Sequence, residues 1–180
     1  MKSNSFIQMQ TGQDLSAVDL QGETLAQLKT LLSTDESPEA SAGREISPKT
    51  TVAWVVVFHG PAGDAQSQAA AALGKAMGRP VYKVELSAVI SKYIAETEKK
   101  LSRLFAAAVR SGAILYFDEA DALFAKRTRI QDAHDRYANM EANYLLQLAE
   151  QQNVPVILST KTRQNIDKAF IRRLRGIVQF

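Results

Sequence analysis

From residue 51 onward, short apolar runs alternate with stretches of helical spacing. The apolar runs predict buried strands, which are Val52–Phe58, Pro80–Leu86, Ala113–Phe117, Val154–Thr160 and Ile177–Phe180. The segments between them predict helices, which are Gln66–Met77, Glu96–Arg110, Arg136–Gln152 and Asp167–Leu174. Strands that alternate with helices in this way form a parallel sheet with helices on both faces. The sequence therefore predicts an α/β fold with a five-stranded parallel sheet.

The first fifty residues follow a different pattern. Residues 1–13 are polar, and we expect them to be loose. Gly22–Leu32 has apolar residues at helical spacing, and Ser33–Lys49 is rich in Ser, Glu, Pro and Ala, which is typical of an exposed loop. We therefore expect two parts: a polar N-terminal segment with a short helix and linker over residues 1–50, and a core over residues 51–180.

Composition narrows the class of function. The 180 residues carry a net charge of +3, and no dense Lys/Arg tract interleaves with aromatic residues, so nucleic acid is not indicated as a partner. The absence of cysteine excludes disulfides, thiolate metal sites and a thiol nucleophile. No N-terminal apolar segment resembles a signal peptide, and the longest apolar runs are too short to span a bilayer. We expect a soluble cytoplasmic protein that has no membrane partner.

A sequence resembling a phosphate-binding loop lies between the first strand and the first helix of the alternating region. It consists of Gly60, Pro61, Ala62, Gly63, Asp64, Ala65, Gln66 and Ser67, at the place of the motif G-x-x-x-x-G-K-[ST]. The first glycine and the final hydroxyl match, and Ser67 could still hold Mg²⁺. Ala65 replaces the second glycine and Gln66 replaces the lysine, so the loop lacks its cation, while Asp64 adds an anion that repels a polyphosphate. An ordinary strand-to-helix turn with Asp64 as the helix cap is the alternative.

A pair of carboxylates, Asp118 and Glu119, ends an apolar strand. In a working site of this kind the aspartate orients Mg²⁺ and the glutamate polarises the attacking water. Carboxylates at the end of a buried strand need a counter-ion. Lys161 follows the strand Val154–Thr160, whose end should lie beside these carboxylates, and we hypothesise that it pairs with one of them in place of Mg²⁺. Alternatively, the carboxylates point into water and Lys161 is a solvated loop lysine.

Taken together, these motifs resemble the AAA+ ATPases, and more narrowly the bacterial and phage AAA ATPases found with contractile injection systems. The resemblance covers roughly residues 15–180. It rests on the degenerate loop and on four further segments, which are Ser91–Lys99, Phe117–Arg127, Asp132–Asn139 and Asn165–Arg175. It implies the large subdomain of the AAA+ core, a P-loop NTPase-like three-layer αβα sandwich. It also implies a helical lid after the core, and the sequence reaches Phe180 without one.

The resemblance assigns further roles. Asp118 and Glu119 match the catalytic pair, and Arg172 and Arg173 match the arginine fingers that act on ATP held by the next subunit of a ring. Lys161 stands where the family usually has an asparagine that senses the γ-phosphate. The residues Lys92, Tyr93 and Ile94 match the pore loop that grips a threaded polypeptide. The alternatives are that the arginines are a solvated basic helix end, stabilised by the helix dipole, and that Tyr93 is a core residue.

Three functions follow from these features. The first is a pseudo-ATPase that acts through contacts with other proteins, such as AAA+ subunits in a ring. For this function we expect no cofactor. The second is a weak or conditional ATPase, which would use ATP and Mg²⁺ held by Ser67 and Asp118. The third is a scaffold that forms no ring.

Overall fold

The structure is a computed structural model that describes residues 7–9, 12–33, 54–61, 64–124, 134–161, 166 and 168–180, with the backbone alone for 134–139. Six strands are present: β1 Ile7–Gln8, β2 Val55–His59, β3 Val81–Glu85, β4 Ile114–Asp118, β5 Val156–Thr160 and β6 Gly176–Gln179. Seven helices accompany them: α1 Gly22–Ser33, α2 Asp64–Ala76, α3 Leu86–Val89, α4 Ile94–Ser111, α5 Asp121–Phe124, α6 His134–Gln152 and α7 Lys168–Ile171. Most of the predicted loop Ser33–Lys49 lies outside the described residues.

The strands form one sheet in the order β1-β3-β4-β5-β2-β6. The five strands predicted from the sequence are all present and pair in parallel, which confirms the α/β fold. The sixth strand corrects the expectation that residues 1–13 are loose, because Ile7 and Gln8 pair antiparallel with Lys83 and Tyr82. A two-residue strand is too short to produce a detectable period-2 pattern, so the sequence gives no sign of it.

The side chains of each strand alternate between two apolar layers. One layer contains Val57, Phe117 and Leu158, together with the buried residues of α4 and α6. The other contains Phe58, Tyr116 and Ile157, together with residues of α1 and α2. Because both faces of a parallel sheet are covered, its strands consist of continuous apolar runs, which is why the sequence signal for them is strong.

The longest predicted helices face the core as their periodicity indicates. On α4, the four residues Leu101, Leu104, Phe105 and Ala108 are buried on one side, as expected from their spacing. This helix ends at Gly112, whose φ of 65° is left-handed and whose N–H donates to the carbonyls of Ala108 and Val109. The predicted helix Asp167–Leu174 is shorter in the structure, where Lys168–Ile171 is helical.

Helix α1 covers the outer edge of the sheet. The hydroxyl of Thr24 donates to the carbonyl of Gln179 at 2.6 Å, and the backbone N–H of Gln179 donates to the side chain of Gln27 at 3.2 Å. Leu28 is fully buried in the same layer as β2 and β6. Side chains of α1 thus satisfy the backbone groups that an edge strand leaves unpaired.

The parallel topology brings the ends of three strands together. Strand β5 lies between β2 and β4, so that His59 is opposite Thr160 and Phe117 is opposite Leu158. The expectation that the end of β5 lies beside the end of β4 is therefore confirmed. In the described part of the chain, no helix is long and apolar enough to cross a bilayer.

Candidate nucleotide site

A cleft of about 220 Å³ opens where these strands end. It is lined by the degenerate loop, by the carboxylates of β4 and by the end of β5. The lining residues are Gly60, Asp64, Gln66, Ser67, Lys83, Asp118, Glu119, Asp121, Ser159, Thr160 and Lys161. Six of the residues predicted for a nucleotide site from the sequence (Gly60, Asp64, Gln66, Ser67, Asp118 and Glu119), and also Lys161, therefore lie around one cavity.

The first glycine of the loop is fixed by its surroundings. Gly60 has a φ of 154°, and a Cβ atom there would lie 2.4 Å from the carbonyl oxygen of Phe180. Its N–H donates to the carbonyl of Thr160 at 3.2 Å, which ties the loop to β5. Pro61 is exposed, while Ala62 and Gly63 lie outside the described residues. Only glycine fits at the start of this loop, in agreement with the phosphate-loop pattern.

Helix α2 begins at Asp64, directly after the loop. The carboxylate is exposed at the helix N-terminus, where a negative charge is stabilised by the helix dipole. The hydroxyl of Ser67 donates to the carbonyl of Asp64 at 2.9 Å, and its oxygen keeps lone pairs that could contact a metal. The anion at the loop thus occupies the helix end that would otherwise attract phosphate.

Gln66 fills the place of the loop lysine with a buried amide. The residue is 3% exposed, its Nε2 donates to the carbonyl of Gly60 at 3.4 Å, and its Oε1 accepts a hydrogen bond from the hydroxyl of Ser159. A lysine at this position must reach into the cleft toward phosphate, whereas the amide is held against β5 and the loop backbone. Both polar ends of the side chain are therefore used within the protein.

The hydrogen bonds continue from Ser159 to Tyr116 on β4. Burial raises the pKa of the Tyr116 phenol from 10.0 to about 12, the nearby Asp118 carboxylate acts in the same direction, and the hydrogen bond with Ser159 partly opposes them. The Ser159 hydroxyl contacts the phenol of Tyr116 and donates its proton to the Oε1 of Gln66. Tyr116, Ser159, Gln66 and the Gly60 carbonyl thus form one buried polar chain beneath the cleft.

Asp118 is neutralised by a residue that the sequence analysis did not select. The Nζ of Lys83, on β3, lies 2.7 Å from its Oδ2, and its Oδ1 accepts the backbone N–H of Glu119 at 3.0 Å. The hypothesis that Lys161 pairs with Asp118 or Glu119 is wrong, because within the described residues neither carboxylate has an ion pair with it. Lys161 is exposed at the rim of the cleft.

The other aspartate of the run, Asp121, binds the end of β5. Its Oδ1 accepts the hydroxyl of Thr160 at 2.7 Å and the backbone N–H of Lys161 at 3.0 Å. This contact fixes the backbone at the end of β5. The sequence motif Asp118-Glu119-Ala120-Asp121 therefore contains one aspartate with a structural task.

Glu119 is held in an unusual backbone conformation. Its φ is 53°, in the left-handed region, which costs a non-glycine residue about 1–2 kcal/mol. The side chain is exposed and lines the cleft. Strained residues of this kind concentrate at functional sites, so the geometry supports a site at this strand end rather than a simple solvated turn.

Binding of Mg²⁺ and ATP requires positive charge and a free carboxylate at this cleft. Four carboxylates and two lysines line the cleft, a formal excess of two negative charges before any triphosphate enters. The loop cation is replaced by the Gln66 amide, and the carboxylate that would orient the metal is bonded to Lys83. The residues present therefore do not fit Mg²⁺-ATP.

The two candidate finger arginines differ in their environment. Arg173 is bound to helix α6, where its Nη2 and Nε lie 2.8 and 2.9 Å from the Oε1 of Glu150. Arg172 is exposed and has no ion pair among the residues that the structure describes. Arg172 is thus the more exposed of the two, and Arg173 is held by an ion pair.

The candidate pore-loop residues lie at the start of α4. Tyr93 is 58% exposed, so the alternative that it is a core residue is excluded. The Nζ of Lys92 lies 5.0 Å from the centre of its ring, within the range of a cation–π contact. The loop before the helix is held by Ser91, whose hydroxyl donates to Glu96 at 2.7 Å. An aromatic side chain is thus presented to solvent from an ordered turn.

Sequence reasoning missed Lys83, Tyr116 and Ser159. Lys83 carried a usable signal, because a lysine two residues before the end of β3 faces the same side as Asp118 at the end of the neighbouring strand β4. Ser159 and Tyr116 gave none, since single polar residues in a buried strand are common and their partners depend on the tertiary fold.

Comparisons with known proteins agree with this fold. Residues 56–180 match the family described as "ATPase family associated with various cellular activities (AAA)". The chain is 30% identical over 119 residues to the ATPase family gene 2 protein of Schizosaccharomyces pombe, covering 65% of this chain and 15% of that protein. It is 28% identical over 127 residues to the uncharacterised AAA family ATPase y4kL of Sinorhizobium fredii, covering 69% and 38% respectively.

One further relative and one solved structure are also similar to this chain. Spastin of Sus scrofa is 28% identical over 124 residues, which is 66% of this chain and 20% of spastin. A chain in the structure titled as the E. coli MS115-1 HORMA:CdnC:Trip13 complex aligns with a TM-score of 0.57 and 23% identity, covering 71% of this chain and 48% of that chain. This chain thus spans less than two fifths of the length of the three curated relatives named here.

Proposed function

Since the chain belongs to the AAA family of ATPases, we propose that it is an AAA domain that does not hydrolyse ATP itself and acts through contacts with other proteins. The observation that carries the proposal is the position of Gln66, whose amide is bonded to Ser159 and Gly60 where the family has a lysine facing phosphate. A triphosphate in this cleft would meet an uncharged, already bonded side chain and an excess of carboxylates.

The first experiment measures nucleotide binding by thermal shift. A ligand present at about 100 Kd stabilises a protein by about 2.7 kcal/mol, which for a chain of this size raises Tm by about 5–10 °C. We expect no such shift for the natural chain with ATP, with or without Mg²⁺. The matched variant carries Asp64→Thr, Ala65→Gly and Gln66→Lys, and it should gain binding. A clear shift in the natural chain would refute the proposal.

The contact with other proteins is assigned to Arg172. Its exposure and lack of an ion pair in the described part of the chain support a role as a finger that completes the site of a neighbouring AAA subunit. The test adds this chain to an AAA ATPase that retains its loop lysine and measures the rate. We expect Arg172→Ala to abolish any change in rate, while the exposed Arg110→Ala on α4 serves as the control. No complex and no change in rate would contradict the role.

Lys92, Tyr93 and Ile94 are proposed to contact a polypeptide passing through a ring of such subunits. Support comes from the exposure of Tyr93 and from its position at an ordered helix start. The finer resemblance, to the AAA ATPases of contractile injection systems, rests on sequence segments that lie partly outside the described residues. We propose this narrower relationship from the sequence segments alone.

A weak or conditional ATPase is the second candidate. It is favoured by the fact that Ser67, Asp118, Glu119 and Lys161 line one cleft, so that a metal site and a cation near the γ-phosphate could be assembled after rearrangement. Slow hydrolysis that disappears in Glu119→Gln would favour this candidate over the first.

A further inference from the structure

We propose that Lys83 is a built-in counter-ion that takes the place of Mg²⁺ at Asp118 and keeps this site in a metal-free form. The inference deepens the proposed function, since it rests on a cleft that works without Mg²⁺-ATP. It concerns a residue on strand β3, outside both of the sequence motifs that suggest nucleotide binding.

The contacts of Asp118 carry the inference. Its Oδ2 is 2.7 Å from the Lys83 ammonium and its Oδ1 accepts the N–H of Glu119 at 3.0 Å, so both carboxylate oxygens have a donor. The two side chains are 35% and 27% exposed, which is less than either member of the ion pair Lys75–Asp14. A metal ion at Asp118 would have to displace the ammonium, because two cations that close to each other repel strongly.

The sheet geometry explains why the lysine reaches this carboxylate. On the neighbouring parallel strands, Lys83 is opposite Tyr116 and Glu85 is opposite Asp118. Side chains two residues apart on a strand share a face, so Lys83 and Asp118 are diagonal neighbours, and the long lysine side chain spans the offset. The ammonium therefore stands at the mouth of the cleft next to the metal-orienting carboxylate.

The Lys83 ammonium balances the negative charge of Asp118 in the absence of a metal. In a working site, Mg²⁺ and the loop lysine compensate the carboxylates at the strand end. Here Gln66 contributes no charge. Among the ion-paired carboxylates of the described residues, which are Asp14, Asp118 and Glu150, the side chain of Asp118 is the least exposed. A lysine from the adjacent strand supplies the missing positive charge within the chain, independently of any ligand.

The experiment measures thermal stability in the absence of nucleotide, with and without millimolar MgCl₂. Four proteins are compared: the natural chain, Lys83→Met, the double variant Lys83→Met/Asp118→Asn, and Lys75→Met as a matched control for the loss of one paired lysine. Binding of Mn²⁺ to the same proteins, followed by electron paramagnetic resonance, reports occupancy directly.

We expect Lys83→Met to lower Tm by about 3 °C or more, and MgCl₂ to restore at least half of the loss. Mn²⁺ should bind to this variant with at least tenfold higher affinity than to the natural chain. The double variant should regain stability without metal, and neither it nor Lys75→Met should respond to MgCl₂. If Lys83→Met does not fold, folding of the double variant alone supports the inference, and failure of both overturns it.

Two results would overturn the inference: equal Mg²⁺ and Mn²⁺ responses in the natural chain and in Lys83→Met, or no response in either. Because no sample contains nucleotide, these outcomes are independent of whether the natural chain binds ATP. The counter-ion role of Lys83 and the proposed pseudo-ATPase function can therefore fail separately.

Discussion

The hydrogen bond between Gln66 and Ser159 should make a measurable contribution to stability. In Gln66→Leu the side-chain volume is nearly kept, while the Ser159 hydroxyl loses its acceptor and the Gly60 carbonyl loses a donor. Gln66 and Ser159 are 3% and 8% exposed, so little water reaches the groups that lose their partners. An orphaned buried polar group costs about 1–3 kcal/mol. We therefore expect Gln66→Leu to destabilise the fold by about 2–3 kcal/mol.

The assay is urea denaturation followed by circular dichroism, with a double-mutant cycle. Ser159→Ala alone should cost about 1–2 kcal/mol, because it removes the donor to Gln66 and the hydrogen-bond partner of Tyr116. The double variant removes both partners together and should be more stable than the sum of the single changes predicts, by about 1 kcal/mol. Gln68→Leu, at an exposed position of the same helix, is the control and should change stability by less than about 0.5 kcal/mol.

Two results would refute this reasoning. One is additivity of the two substitutions within about 0.3 kcal/mol, which would mean that the side chains do not interact. The other is a loss for Gln66→Leu no larger than that for Gln68→Leu. Either would show that the Gln66 amide is not anchored to Ser159 and the Gly60 carbonyl.

Three further predictions concern Tyr116, the arginine pair and Gly60. Burial raises the pKa of Tyr116 to about 12, so between about pH 10 and 12 the folded state keeps a proton that the unfolded chain releases. The free energy of unfolding therefore falls as the pH rises through this range. Tyr116→Phe should reduce this fall by up to about 2–3 kcal/mol, measured by urea denaturation at several pH values between about 10 and 12. Arg173→Ala should destabilise by about 0.5–1 kcal/mol through loss of its carboxylate partner on α6, whereas Arg172→Ala should leave the urea midpoint unchanged. Gly60→Ala should cost at least about 2 kcal/mol, because its Cβ would meet the backbone of the last residue, and an unchanged midpoint would contradict that geometry.

The elements of the fold were predictable because their signals are local. Buried parallel strands consist of short apolar runs, and α4 shows its inward face directly in the spacing of Leu101, Leu104 and Phe105. Strand β1 was missed because it has only two residues and pairs with β3, which is distant in the sequence. The α1 contacts with Gln179 were missed for the same reason, since a polar side chain that covers a sheet edge has no sequence period.

The site was predictable in outline, and the partners of its charges were not. The motifs placed Gly60, Asp118 and Glu119 correctly around one cleft, because parallel strands end at a common edge. Lys161 was selected as the counter-ion from strand order alone. Its backbone N–H is bound by Asp121, and the ion pair of Asp118 is formed by Lys83 from the neighbouring strand β3. Which of two nearby lysines reaches a carboxylate depends on the tertiary fold.

The uncharged amide of Gln66 and the ammonium of Lys83 line the same cleft, and this has a consequence for variants designed to bind nucleotide. Gln66→Lys, with Ala65→Gly and Asp64→Thr, returns a cation to the loop, where the Ser159 hydroxyl and the Gly60 carbonyl can accept from it. Lys83 would still occupy the Oδ2 of Asp118, so the variant should bind ATP with little dependence on Mg²⁺.

Adding Lys83→Met to that variant should make binding depend on Mg²⁺. The reason is that Asp118 would then lack a cation and could orient the metal against the β- and γ-phosphates. We expect the affinity for ATP with Mg²⁺ to exceed that with EDTA by about tenfold or more in the fourfold variant, a difference of about 1.4 kcal/mol, and by less than about threefold in the loop-restored variant. Titration calorimetry at matched ionic strength measures both ratios. Equal Mg²⁺ dependence in the two variants would mean that the ammonium of Lys83 does not compete with the metal. The Lys83–Asp118 ion pair would then have no effect on metal binding.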